Sequence, residues 1–101
     1  MKIREIKFTV EAARWLDKVN GNTYHSVRVT NNKNGETIVH PLTYGYGTSY
    51  EQTAQEIMLK AGWIPAKYKG KWYLYERENK YPIHWIVTDG LLRDCVANGT
   101  L

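Results

Sequence analysis

At 101 residues, with 43% hydrophobic and 24% charged side chains, the chain fits one folded domain with a single core and needs no disulfide or metal staple. Its one cysteine, Cys95, excludes an internal disulfide, and no run approaches the roughly 18 apolar residues of a membrane span. The net charge of +4 excludes a DNA mimic, which needs strong negative charge, and is modest for a dedicated nucleic-acid binder.

The first residues, Met1 to Lys7, alternate charge with apolar groups and lack the continuous apolar stretch of a signal peptide, so the expected location is the cytoplasm of the host cell. Eight tyrosines and four tryptophans stand against one phenylalanine. Such side chains join an apolar body to a polar handle and suit half-buried sheet faces and interfaces. The charge is unevenly placed. Between Lys60 and Lys80 there are six basic residues against two acidic, so the remaining eight basic and eight acidic residues balance. That stretch suits an acidic partner surface or nucleic acid, and equally a solvated rim.

In chain order, residues 2 to 8 have strand character. Thr9 to Val19 reads either as helix, from Glu11-Ala12-Ala13-Arg14, or as strand, with the strand favoured from Arg14 onwards because Asn20-Gly21 is a strong hairpin signal. Thr23 to Thr30 is a second strand, with Thr23, His25, Val27 and Val29 on one face. Asn31 to Gly35 is a polar turn, and Glu36 to Leu42 returns as a third strand that Pro41 marks as an end or an edge.

The stretch Tyr44 to Gly62 is predicted as a glycine-punctuated turn launching the main helix. Thr48-Ser49-Tyr50-Glu51 fits a capping box. Tyr50, Ala54, Ile57, Met58 and Ala61 recur at helical spacing as an apolar face, and Gly62 is placed to end the helix in a left-handed cap. Trp63-Ile64 then folds back and Pro65 stops continuation. Lys71 to Arg77 alternates as a strand, and with Ile83 to Thr88 it makes a second hairpin. The tail from Asp89 either extends that strand or forms a short helix between an Asp89 cap and a Gly99 stop. The predicted fold is α+β: an antiparallel sheet of four or five strands with one main helix on one face, in a single domain.

The run Trp15-Leu16-Asp17-Lys18-Val19-Asn20-Gly21-Asn22-Thr23-Tyr24-His25-Ser26-Val27-Arg28-Val29, with Tyr44-Gly45-Tyr46-Gly47 and Gln52-Thr53-Ala54, resembles a family of small uncharacterised bacteriophage and prophage proteins. The likeness spans residues 14 to 62 and brings no catalytic residue with it. It implies a context, that of small accessory factors such as anti-CRISPR inhibitors of host defence.

The residues offer little catalytic chemistry. Cys95 and the three histidines lie far apart in sequence and lack the close pairing of a zinc site or a nucleophile motif. No cofactor is implied. The Tyr44–Gly47 turn imitates a glycine-rich anion cradle but lacks its third glycine and a P-loop lysine, and the plainer reading is that Gly45 and Gly47 adopt positive φ in a tight turn. The strongest binding candidates lie on the second hairpin, where Lys67, Lys69, Lys71, Tyr73, Tyr75, Arg77 and His84 interleave cations with rings, joined by Tyr44 and Tyr46 in the turn. The resulting expectation is a non-enzymatic accessory protein that binds a host or phage protein complex by steric occlusion. Single-stranded DNA or RNA binding is the alternative, and a homodimer through an exposed sheet edge is a further partner class.

Overall fold

The computed structural model describes residues 6–45, 47–80 and 82–101. It is α+β, with one open four-stranded sheet in the order β3-β2-β1-β4. Strand β1 (Phe8–Asp17) pairs antiparallel with β2 (Asn22–Asn31) without interruption, from Phe8 opposite Asn31 to Asp17 opposite Asn22. Residues 9–17 are therefore strand throughout, and the helical reading of 9–19 is set aside; the prediction for residues 2–5 lies outside the described residues. The turn that fixes this register is built by Asp17. Its carboxylate accepts the side-chain amide of Asn20 and the backbone N–H groups of Asn20 and Val19, which hold its pKa below the usual carboxylate range. Gly21 closes the turn at φ +71°, a conformation that costs glycine nothing.

Strand β3 (Thr37–Tyr44) pairs antiparallel with β2 and forms one edge. Pro41, which has no N–H to give, sits where the register shifts. His25 opposes Thr43 and Val27 opposes His40, so two residues of β3 bulge against Ser26.

The second predicted hairpin does not exist. Residues 72–78 form a helix, α2 (Trp72–Glu78), and β4 (Ile83–Asp89) pairs parallel with β1, from Phe8 opposite Ile83 to Arg14 opposite Asp89. The sheet is therefore mixed rather than antiparallel. A seven-residue run rich in rings and charges satisfies either periodicity, and tertiary contacts decide between them. Here Tyr75 is buried edge-on against Tyr68 of a 3₁₀ turn (Ala66–Tyr68), while Glu76 accepts the indole N–H of Trp85 at 3.1 Å. Trp72, Tyr75, Glu76 and Asn79 are covered at helical spacing, and Leu74 is half-buried beside them.

The main helix, α1 (Ser49–Lys60), lies across one sheet face. Tyr50, Ala54 and Met58 enter a core with Phe8, Val10, Ala12, Val27, Val29, Ile64 and Ile83, and Ile57 packs at its margin. Two details depart from the helical wheel: Ala61 is exposed and Gln55 is buried. Thr48 is the N-cap residue but its side chain makes no cap bond, so the predicted capping box is not formed. The C-terminal end behaves as expected. Gly62 takes φ +79°, its N–H reaches the Leu59 carbonyl and that of Trp63 reaches Met58, which is a Schellman cap. The chain then doubles back, stacking Trp63 on Phe8 with ring centroids 5.8 Å apart and burying Ile64.

The tail is helical, α3 (Leu92–Asn98), and it covers the opposite sheet face, so the described residues form three helices rather than one, with α1 and α3 on opposite faces of the sheet. Asp89 belongs to β4 and does not cap α3, whose N-cap residue is Leu91. Polar pins hold α3 in place. Ser26 Oγ donates to the Cys95 carbonyl, and the Asn98 amide donates to the Glu11 carbonyl at 3.0 Å and to Ser26 Oγ at 3.3 Å. Arg28 donates to the carbonyls of Asn98 and Thr100, placing a cation at the negative end of the helix. The approach is close enough to demand glycine at position 99, where an added Cβ would lie 2.7 Å from the His40 carbonyl oxygen and 2.9 Å from Ser26 Cβ. Gly99→Ala should therefore lower the unfolding free energy by about 1–3 kcal/mol in urea melts, the usual cost of overpacking. Gly90→Ala is the matched control. Its added methyl would meet only the Asp94 carboxylate, at 3.9 Å, and should shift stability by less than about 0.5 kcal/mol.

Candidate functional site

The sequence places its best binding residues on one hairpin face, and the structure disperses them. Tyr75 is 5% exposed and belongs to the core, whereas Tyr73 is 65% exposed on the other side of α2. Arg77 is exposed one turn beyond Tyr73, and Lys67, Lys69 and Lys71 are exposed on the segment before α2, with the Lys67 ammonium 5.0 Å from the Tyr68 ring centre. His84 stands apart on β4. Tyr73 shares a depression between α1 and α2 with Glu51 and Glu76. Burial, and then the neighbouring Glu76, raise the Glu51 pKa, so the surroundings of this ring are acidic. Tyr46 lies outside the described residues.

A different constellation forms at the end of the sheet where β1 and β4 finish side by side. Arg14 and Asp89 are register partners there, and the guanidinium grips the carboxylate with two N–H donors, at 2.7 and 3.1 Å. A third donor reaches the Gly47 carbonyl at 3.3 Å, and the guanidinium carbon lies 5.9 Å from the Tyr50 ring centre. One side chain thus ties both parallel strands to the turn that launches α1. The hydrogen bond that Arg14 donates to Asp89 raises the Arg14 pKa further, so this cation is permanent.

Around that pair opens a cleft of about 810 Å³, lined by Trp15, Leu16, Val19 and Leu91 among others. Its size lies within the range of small-molecule and peptide sites. Leu16 and Leu91 are more than half exposed, and Val19, at the tip of the first turn, is 92% exposed. On the sheet face shared with α3, a row of rings crosses the same end. Trp15 stacks on Tyr24 at 5.5 Å, and Tyr24 meets Tyr44 edge-on at 5.8 Å. Of the sequence-predicted residues only Tyr44 belongs to this end. Trp15 and Tyr24 were not legible as a pair, because a two-residue Asn20-Gly21 turn would set Trp15 opposite Ser26, whereas the observed turn spans residues 18–21 and sets it opposite Tyr24.

The neighbouring turn is explained by packing rather than by anion binding. Gly47 takes φ +56°, but Gly45 does not need a left-handed backbone; an added Cβ there would lie 2.7 Å from His25 Cε1. His25 is buried with its Nε2 2.7 Å from the Thr53 hydroxyl. Burial pushes its pKa down, a hydrogen bond to the Gly45 backbone opposes this, and His40 adds to the lowering. Cys95 is fully buried on the sheet-facing side of α3, and burial raises its thiol pKa, helped by Asp94 and Asp89. A protonated, enclosed thiol is a poor nucleophile.

Among the described residues no group of three or more His, Cys, Asp and Glu is arranged to hold a metal ion, and no helix is long and apolar enough to cross a membrane. Comparison of the chain with protein-family models, curated proteins and solved structures finds no match.

Two measurements test this description. The folded protein resists protonation at His25, whereas the unfolded chain accepts a proton near pH 6.5. The stabilisation is complete above that pH and is lost as pH falls through it towards the folded value. The melting temperature should therefore drop between pH 7 and 5, and His25→Asn should flatten that drop. Cys95 should react with a thiol reagent orders of magnitude more slowly in the folded protein than in urea; equal rates would contradict its burial.

Proposed function

We propose that the protein is a non-enzymatic accessory protein, of the phage type its sequence resembles, which binds a partner protein through the cleft end of the sheet and occludes a functional site. The observation that carries this reading is the gathering of exposed Leu16, Val19 and Leu91 around the Arg14–Asp89 pair, with the Trp15–Tyr24–Tyr44 ring row beside them. Apolar and aromatic anchors around a fixed, oriented charge pair are what a protein interface uses at its centre. Asp17 supports the reading too, because its three hydrogen bonds hold the turn carrying Val19 in one shape and so reduce the ordering cost of binding. A component of a host defence complex is the partner class that the phage resemblance favours.

The second reading is single-stranded nucleic-acid binding along the segment before α2. Exposed Lys67, Lys69 and Lys71 with exposed Tyr73 and Arg77 favour it, and the carboxylates beside Tyr73 oppose it.

Capture from bacterial lysate, washed at low and high salt, separates the two. The leading reading expects a stoichiometric protein that survives high salt and whose affinity falls about tenfold or more with Val19→Asp or Leu91→Asp, as for interface anchors. Tyr73→Ala should leave it unchanged. Nucleic acid recovered at low salt, lost at high salt and sensitive to Lys69→Ala and Tyr73→Ala would establish the second reading instead. A protein partner indifferent to the cleft substitutions would refute the assigned surface.

A further inference from the structure

The two edges of the sheet are built differently. On the β3 edge Pro41 removes a ladder donor and a bulge twists the strand, two standard devices that stop a second chain from pairing there. The β4 edge has neither. Its register with β1 runs unbroken through seven residues, Ile83 to Asp89, without proline, lysine or bulge. Its only formal charge, on Asp89, is already matched by Arg14.

The direction of its backbone groups can be worked out. The Phe8 N–H donates to the Pro82 carbonyl and the Gly90 N–H donates to the Arg14 carbonyl, so the even-numbered residues of this stretch turn their N–H and C=O groups towards β1. The odd-numbered residues Ile83, Trp85, Val87 and Asp89 therefore turn theirs away from the sheet. All four have both a donor and an acceptor. Ile86 and Val87 are 40% and 37% exposed, apolar side chains on an edge open to pairing.

We infer that β4 is a self-association edge, pairing antiparallel with β4 of a second copy about a two-fold axis at Ile86. In that register the four outward residues meet one another as hydrogen-bonded pairs, Ile83 with Asp89 and Trp85 with Val87, each twice by symmetry. The result is about eight ladder bonds and one continuous sheet across two protomers. The side chains agree with the backbone. Trp85 meets Val87 as an aromatic–β-branched pair, His84 meets Thr88, and the two Ile86 side chains meet each other at the close, non-hydrogen-bonded position. No like charges oppose one another. Self-complementarity of this kind identifies the occupant as a second copy rather than an unrelated strand, and α3 leaves room for it because it packs over β1, β2 and β3. The pairing edge meets the cleft at Asp89, but Ile86, on which the test turns, does not line that cleft.

Sedimentation equilibrium across a concentration series tests the assignment. The wild-type mass should rise from 11.8 kDa towards twice that value. Ile86→Lys and Ile86→Glu, each placing like charges at the dyad, should stay monomeric when alone, and an equimolar mixture should recover the doubled mass. A wild type that remains monomeric throughout overturns the proposal. So do single variants that dimerise as well as wild type, or a mixture that stays monomeric. Amide exchange on the wild type gives an arm that needs no variant. The N–H groups of Trp85 and Val87 should exchange more slowly in concentrated than in dilute protein, and equal rates would overturn the pairing.

Discussion

The parallel return of β4 beside β1 is the constraint on which the rest of the architecture depends. Antiparallel neighbours can be joined by a tight turn, as β1 and β2 are, but a parallel neighbour has to be reached by a long crossover. Here the crossover leaves β3 at one edge and delivers β4 at the other, so it has to span the whole sheet. Residues 45–82 make that journey, and α1, the 3₁₀ turn and α2 are what they form on the way. Covering the sheet and connecting its edges are one task. Several aromatic residues of the crossover accordingly become core: Tyr50, Tyr68 and Tyr75 are buried and Trp63 and Trp72 pack against them, while Tyr73 stays exposed.

The two sheet faces are closed by different forces. The α1 side is a hydrophobic core whose alternating residues, Val10 with Val29 and Ala12 with Val27, are paired across strands. The α3 side is fixed by hydrogen bonds from Ser26, Arg28 and Asn98 and by the backbone approach at Gly99. Several apolar side chains of α3, including Leu92 and Val96, are left exposed. Hydrophobic burial is non-directional and supplies most of the free energy; the polar pins are directional and set where a short helix sits.

Much of the fold was legible in the sequence because local signals agreed with the global outcome. The Asn20-Gly21 turn, the polar turn at 31–35, the α1 periodicity and the Gly62 cap all matched their neighbours, and the α+β class followed. Lys71 to Arg77 was misread because its alternation of large and charged residues fits a strand as well as a short helix, and Tyr68, which decides the matter, is a tertiary partner. The candidate binding face depended on that strand and dispersed with it. The cleft was not legible for a related reason. Arg14 and Asp89 are 75 positions apart, and only the parallel register of β1 and β4 makes them neighbours.

That same separation has a bearing on how the chain reaches its fold. Loop-closure entropy rises with the length of chain closed, so the β1–β4 contact is the least favourable of the strand pairings to nucleate, whereas the β1–β2–β3 meander closes through short turns. During synthesis β1, β2 and β3 are complete long before residue 89 emerges. The central strand of the finished sheet therefore begins as an edge strand. Its Phe8, Val10 and Ala12 side chains wait for the crossover to arrive, and the Arg14–Asp89 grip marks the moment when the longest loop is closed.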